Sequence, residues 1–221
     1  MNAPKSALLL VGSPRAPKSN SEALGRYLLD RLADRGLATR TVRLRSAMKT
    51  EAKRAELREA LAGADLVLLT APLYVDSVPS FVIEALEWIA AQGPFSAGFM
   101  AMVNCGFPEA HQNEVALENY RLFAREAGLT WLGGLPVGMG EMLGEKPIKK
   151  SGGPLTRLCR ALDLTAEALA AGQPVPSPAL TLVQKPPLPA WLYLFMGNRS
   201  WRSLAKRAGI SAHLHDRPYE D

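Results

Sequence analysis

Short, wholly apolar runs alternate along the chain with stretches in which apolar residues return every three or four positions. Residues 7–11 are apolar throughout and stop at Gly12. Such a run suits a strand covered on both faces, as in a parallel sheet. From Ser21 onward Ala23, Leu24, Tyr27, Leu28 and Leu32 recur at helical spacing, with Gly36 as a stop signal. Residues 38–44 alternate apolar and polar, a second strand, and 50–62 predict a charged helix with Leu57 and Leu61 on one face. Residues 65–70 predict a third strand, and 79–91 a helix with a proline in its first turn. Residues 97–103 predict a fourth strand, 109–127 a long helix closed by Gly128, and 130–137 a fifth strand. A glycine-rich loop, 138–153, leads to a last regular helix over 155–171.

This alternation predicts an α/β domain over residues 1–172: a three-layer sandwich with a five-stranded parallel sheet and helices on both faces. Five strands favour the spatial order 2-1-3-4-5 over the six-stranded dinucleotide order. In both, ligands sit at the carboxyl ends of the strands, beside the point where strand order reverses. The loops after strands one, three and four are therefore the candidate site. Residues 173–221 read differently. A proline-rich linker, expected to run extended, precedes a basic, aromatic C-terminal extension. There Trp191, Leu194, Phe195, Trp201 and Leu204 recur on a roughly helical period.

Composition narrows the function. The 221 residues are 48% hydrophobic and 21% charged, enough apolar material for one sizeable core. That excludes a disordered tail, a collagen and a coiled coil. The net charge of +5 invites a polyanion partner, but it divides into +7 over residues 1–64, −8 over 65–145 and +6 over 146–221. The acidic middle speaks against nucleic acid. Two cysteines, Cys105 and Cys159, are too few for a disulfide scaffold or a CxxC zinc site; they read as reduced thiols of a cytoplasmic protein. No apolar run reaches the ~18 residues of a membrane span. The short apolar stretch near the N-terminus reads as a buried strand rather than a signal peptide.

The first loop, Gly12-Ser13-Pro14-Arg15-Ala16-Pro17-Lys18-Ser19-Asn20-Ser21, stands between a buried strand and a helix. One Ser or Asn there is an ordinary N-cap. Hydroxyl, amide and cationic groups gathered together at a helix N-terminus point to an anion cradle. There is no GxxxxGKS and no GxGxxG, which excludes a nucleoside-triphosphatase loop and disfavours a dinucleotide fingerprint.

The segments GSPR…SNS and, after strand three, APLYVDSVPSFVIEALE together resemble the flavodoxin-like NAD(P)H-dependent FMN reductase family, over roughly residues 5–140. The resemblance implies that Ser13, Arg15, Ser19, Asn20 and Ser21 hold the FMN 5′-phosphate. It implies flavin-ring contacts from Pro72, Leu73, Tyr74, Val75 and Asp76, and from Asn104, Cys105, Gly106 and Phe107 after strand four. Taken alone, Tyr74 is equally a half-buried loop aromatic. Cys105 has nothing beside it in sequence to lower its pKa, so packing against flavin suits it better than a nucleophilic role. His111 reads as a surface or capping residue with an outside claim on the flavin. Residues 43–65 lack cysteine, which excludes the iron–sulfur cluster that some relatives carry there. No metal site is expected.

The implied activity is transfer of electrons from NAD(P)H through bound FMN to a small acceptor: a quinone, an azo compound or free flavin. That chemistry resides in the cofactor, so no catalytic side chain is nominated. A homodimer is expected. The alternatives are a non-enzymatic flavodoxin-type electron carrier, against which a pI of about 9.4 argues, and a flavin-binding regulatory protein. For the stretch from Leu188 to Arg207, a helix packed on the domain or on a partner copy is the leading expectation, with an anionic membrane surface second.

Overall fold

The computed structural model describes residues 2–15, 18–143, 148, 153 and 155–217. Five parallel strands form one sheet: β1 (Ser6–Val11), β2 (Ala38–Arg43), β3 (Leu66–Pro72), β4 (Gly98–Asn104) and β5 (Thr130–Val137), in the order β2-β1-β3-β4-β5. The helices are α1 (Asn20–Ala33), α2 (Leu44–Ala47), α3 (Glu51–Ala62), α4 (Ser80–Gln92), α5 (Glu114–Glu126), α6 (Thr156–Ala170), α7 (Ser177–Gln184) and α8 (Ala190–Arg207).

The continuous apolar strands follow from cover on both faces. Leu8 and Leu10 of β1 enter one core with Val67 and Leu69 of β3 and Phe99 and Ala101 of β4, under Leu57, Val82, Ile89 and Tyr120 from α3, α4 and α5. Leu9 and Val11 enter the other, with Leu68 and Met102, beneath Leu24 and Leu28 of α1 and Leu162 and Leu169 of α6. Each fully buried Leu contributes about 1.5–3 kcal/mol, so both helical layers are firmly held. β2 is the edge strand, exposed over its first half, which explains its alternating pattern.

The structure corrects three expectations. The long helix over 109–127 is a short 3-10 turn, Ala110–Asn113, followed by α5. The proline-rich stretch is not extended throughout: it contains α7, opened by Pro176 at the N-cap and Pro178 in its first turn. Proline is tolerated there because first-turn amides have no helical acceptor. Ala179 and Val183 of α7 join the core beneath α6. Residues 155–171 are therefore not the last regular helix, and the compact unit runs from Met1 to Pro187 instead of ending at 172. A second unit, Leu188–Asp221, contains α8 and a short 3-10 turn, Ser211–His213.

Candidate functional site

The strand order reverses between β1 and β3, and main-chain hydrogen bonds lash the carboxyl ends of four strands together. Gly12 N–H donates to the Thr70 carbonyl at 2.8 Å and Leu73 N–H to the Asn104 carbonyl at 2.9 Å. Cys105 N–H donates to the Val137 carbonyl at 3.0 Å, and Gly140 N–H to the Cys105 carbonyl at 2.8 Å. A cavity of about 210 Å³ opens on this edge. Its walls include Ser13, Arg15, Ser19, Asn20 and Ser21 from the first loop, Pro72, Leu73 and Tyr74 from the second, and Asn104, Cys105 and Gly106 from the third.

The first loop is built around the start of α1. Ser19 is the N-cap, its hydroxyl accepting from Glu22 N–H at 3.1 Å. Asn20 and Ser21, at the N-terminus of α1, line the cavity, and the helix dipole favours an anion at that end. Ser13 is buried, and its hydroxyl accepts from Arg15 N–H at 3.3 Å. Ser21 is buried as well, and its hydroxyl donates to Asn104 Oδ1 at 2.6 Å.

Glu22 places a second charge here. Glu22 is only 2% exposed, yet it stands in the first turn of α1, next to Ser21 of the cavity wall. Arg43 Nη2 donates to it at 2.7 Å and Arg26 Nε at 3.0 Å. The two guanidiniums neutralise a carboxylate that would otherwise repel an anion one turn away.

After β3 the chain makes a tight reversal. Tyr74 N–H donates to the Ser77 carbonyl at 2.8 Å and Ser77 N–H to the Tyr74 carbonyl at 3.1 Å. Val75 and Asp76 take φ of 47° and 58°, the left-handed pair of a type I′ turn. A β-branched residue rarely adopts that conformation, and Val75 is 98% exposed. Tyr74 lines the cavity, whereas Val75 and Asp76 project beyond it and are absent from its walls.

The third loop brings Asn104, Cys105 and Gly106 to the cavity but leaves Phe107 outside its lining and 55% exposed. Cys105 is buried; its thiol faces the Phe107 carbonyl at 3.7 Å and accepts from Asn113 Nδ2 at 3.4 Å. Burial pushes the thiol pKa up, so at neutral pH it stays protonated and is a poor nucleophile. His111 lies in the 3-10 turn, exposed and outside the cavity walls.

Two residues of this region carried no recognised role in the sequence. Glu22 reads there as the last position of an S-x-x-E capping signature, and its link to Arg43 on β2 is tertiary. Glu141 lines the cavity from the loop after β5. Its signal is the Gly-Met-Gly before it: a Cβ at Gly138 would stand 2.7 Å from the Pro108 carbonyl oxygen, and one at Gly140 would stand 3.0 Å from Asn104 Nδ2. Only glycine lets this loop close against the third. Most of the glycine-rich stretch beyond Leu143 lies outside the described residues.

The NADPH-dependent FMN reductase family model matches residues 6–141. The chain belongs to this family. It is accordingly a flavoenzyme that uses FMN with NAD(P)H as reductant. A search of curated proteins returned no match. Among solved structures, the chain is similar to a Streptococcus pneumoniae flavodoxin (13% identity, TM-score 0.54, covering 76% of this chain and 99% of that one). It is also similar to an FMN-dependent NADH-azoreductase from Bacillus anthracis (11%, 0.52, 75% and 99%). A third likeness is to a putative quinone reductase from Klebsiella pneumoniae (17%, 0.55, 77% and 87%). At these identities the likenesses show the flavodoxin-like fold.

The donor set fits the FMN of this reductase family. Hydroxyls, a helix N-terminus and Arg15 suit a phosphate, while Pro72, Leu73 and Tyr74 offer an apolar and aromatic wall. Among the described residues no cluster of three or more His, Cys, Asp or Glu could hold a metal ion.

Proposed function

We infer that this FMN reductase passes electrons from NAD(P)H to a small diffusible acceptor: a quinone, an azo compound or free flavin. One observation carries the site assignment. A single cavity collects the polar first loop on one side and Tyr74 with Asn104–Gly106 on the other, at the reversal point of the sheet.

In this reading Ser13, Arg15, Ser19, Asn20 and Ser21 bind the phosphate, with α1 supplying main-chain donors. Pro72, Leu73 and Tyr74 form the wall for the ring, and the backbone from Leu73 to Asp76 offers edge contacts. Asn104, Cys105 and Gly106 close the far side, where the glycine permits close backbone approach. Val75, Asp76 and Phe107 stand outside the enclosed cavity and are assigned to its rim, where a nicotinamide and an acceptor approach. Bound FMN supplies the hydride and electron chemistry. The chain's own residues orient the cofactor and keep one face apolar, and Cys105 remains a packing residue.

Small acceptors are supported by the names of similar proteins, an azoreductase and a quinone reductase. The exposed apolar rim of Tyr74, Val75 and Phe107 suits cover by a second copy, hence a homodimer. Two buried cysteines that form no disulfide suit the reducing cytoplasm. A flavodoxin-type carrier is disfavoured by the basic pI of about 9.4.

Anaerobic mixing of the FMN-loaded protein with NADPH or NADH, followed by a panel of quinone, azo dye and flavin, tests this reading. Rapid bleaching of the flavin band and recovery on adding one of these acceptors is expected. Bleaching with no recovery by any of the three would overturn the acceptor class.

A further inference from the structure

Helix α8 belongs to the second unit and has a composition of its own. Its first seven residues, Ala-Trp-Leu-Tyr-Leu-Phe-Met, are apolar or aromatic on every side. Beyond them the helix divides. At 3.6 residues per turn, Gly197, Trp201 and Leu204 fall on one side with Leu194, while Arg199, Arg202 and Lys206 fall on the other and Arg207 on its flank. No acidic residue occurs from 188 to 215.

The large apolar side chains of α8 are exposed on both sides of the helix. Trp191 is 70% exposed, Phe195 61% and Trp201 69%, with Leu194, Met196 and Leu204 exposed beside them. Ala205 is the one buried residue of α8.

Charge selects what covers these residues. Pairing with a second α8 through the side of Leu194, Trp201 and Leu204 would leave Trp191 and Phe195, which share the cationic side, uncovered and the four cations without a counter-charge. A nucleic acid would satisfy the cations but offers no apolar phase for Leu194, Met196 and Leu204. An anionic bilayer satisfies both faces at once: acyl chains take the apolar side, headgroup phosphates the cations, and the boundary suits Trp and Tyr rings. Among the described residues no helix is long and apolar enough to cross a membrane, so α8 would lie in the interfacial plane.

We propose that α8 is an interfacial anchor, with Leu194, Trp201 and Leu204 inserting between acyl chains, Trp191 and Phe195 entering the boundary layer on the cationic side, and Arg199, Arg202, Lys206 and Arg207 pairing with anionic headgroups. This stands apart from the flavin site and survives or fails independently of it.

The test is co-sedimentation of the full-length, FMN-loaded protein with vesicles of phosphatidylglycerol and phosphatidylcholine, against phosphatidylcholine alone. Binding to the anionic vesicles only is expected, weakened by salt, with tryptophan fluorescence quenched by acyl-brominated lipid. A Leu194→Ser, Trp201→Ser, Leu204→Ser variant should lose binding while keeping its FMN and molecular mass. Each of Arg199→Gln, Arg202→Gln, Lys206→Gln and Arg207→Gln should cost about fivefold in partitioning. Absence of binding to anionic vesicles overturns the proposal, as does equal binding to neutral ones. Binding that persists in the triple variant overturns the assignment to this face. A fall in molecular mass in that variant identifies the face as a contact between copies, which also overturns it.

Discussion

Ser21 and Asn104, 83 residues apart in sequence, meet in a buried hydrogen bond, Ser21 Oγ to Asn104 Oδ1 at 2.6 Å. It ties the start of α1 to the end of β4, and so joins the side of the cavity proposed for the phosphate to the side proposed for the ring. Ser21→Ala strands the buried amide oxygen, at a cost of about 1–3 kcal/mol. Urea denaturation should show that loss. FMN affinity should fall with it, because the two loops lose their fixed spacing.

Arg43 holds the buried carboxylate of Glu22 at 2.7 Å. Breaking a buried pair costs about 3–5 kcal/mol; with Arg26 still at 3.0 Å, Arg43→Ala should cost about 2 kcal/mol. It should also weaken FMN binding, since the carboxylate left half-neutralised lies one turn from the phosphate loop. In the double variant Glu22→Gln, Arg43→Ala, most of the affinity should return. Fluorescence titration of the three proteins checks this.

Val75 has φ of 47° and is 98% exposed, so its side chain gains nothing from burial to offset the strain. The left-handed conformation costs a non-glycine residue roughly 1–2 kcal/mol. Val75→Gly should raise unfolding stability by about 1 kcal/mol, reduced by the added entropy of the unfolded chain. Thermal denaturation measures the gain.

Asp65 caps the other end of the sheet. Its carboxylate accepts from Lys5 N–H at 2.8 Å, Ser6 N–H at 3.0 Å and the Ser6 hydroxyl at 3.1 Å. These bonds, that from Lys5 first, hold its pKa below the ordinary value. The resulting stability is present above the unfolded pKa of about 3.9. It disappears as pH falls through the lower folded value. The group is exposed, so its worth after solvent screening is well under 1 kcal/mol. Asp65→Asn should be less stable than the parent at neutral pH, and the two denaturation curves should converge in acid.

Much of this was legible in the chain. The unbroken apolar runs of β1, β3 and β4 follow from cover on both faces, and the helical periods between them fix the connections as crossovers. That the first loop would wall the cavity was readable because hydroxyls and cations crowd a helix start at the carboxyl end of a buried strand. Helix α7 was missed although its signal was present: prolines at 176 and 178 were read as linker, yet Ala179 and Val183 stand four apart on one face. The tertiary roles of Glu22 and Glu141 could not be read locally. The first depends on an arginine from β2, and the second on how β5 aligns with β4 and how its glycines close on the third loop. Val75 and Asp76 fell to the rim because the turn after Tyr74 reverses the chain within two residues, which no composition signal specifies.

The assignment of the phosphate site is tested most directly by FMN titration of the parent protein against Ser19→Asp. Aspartate is as good an N-cap as serine, so the helix and the fold should be retained. It also places a negative charge at the proposed phosphate site. The account predicts stoichiometric quenching of flavin fluorescence by the parent and a loss of at least tenfold in affinity, about 1.4 kcal/mol, in the variant. Equal affinity in the two proteins, or no binding by the parent, would contradict it.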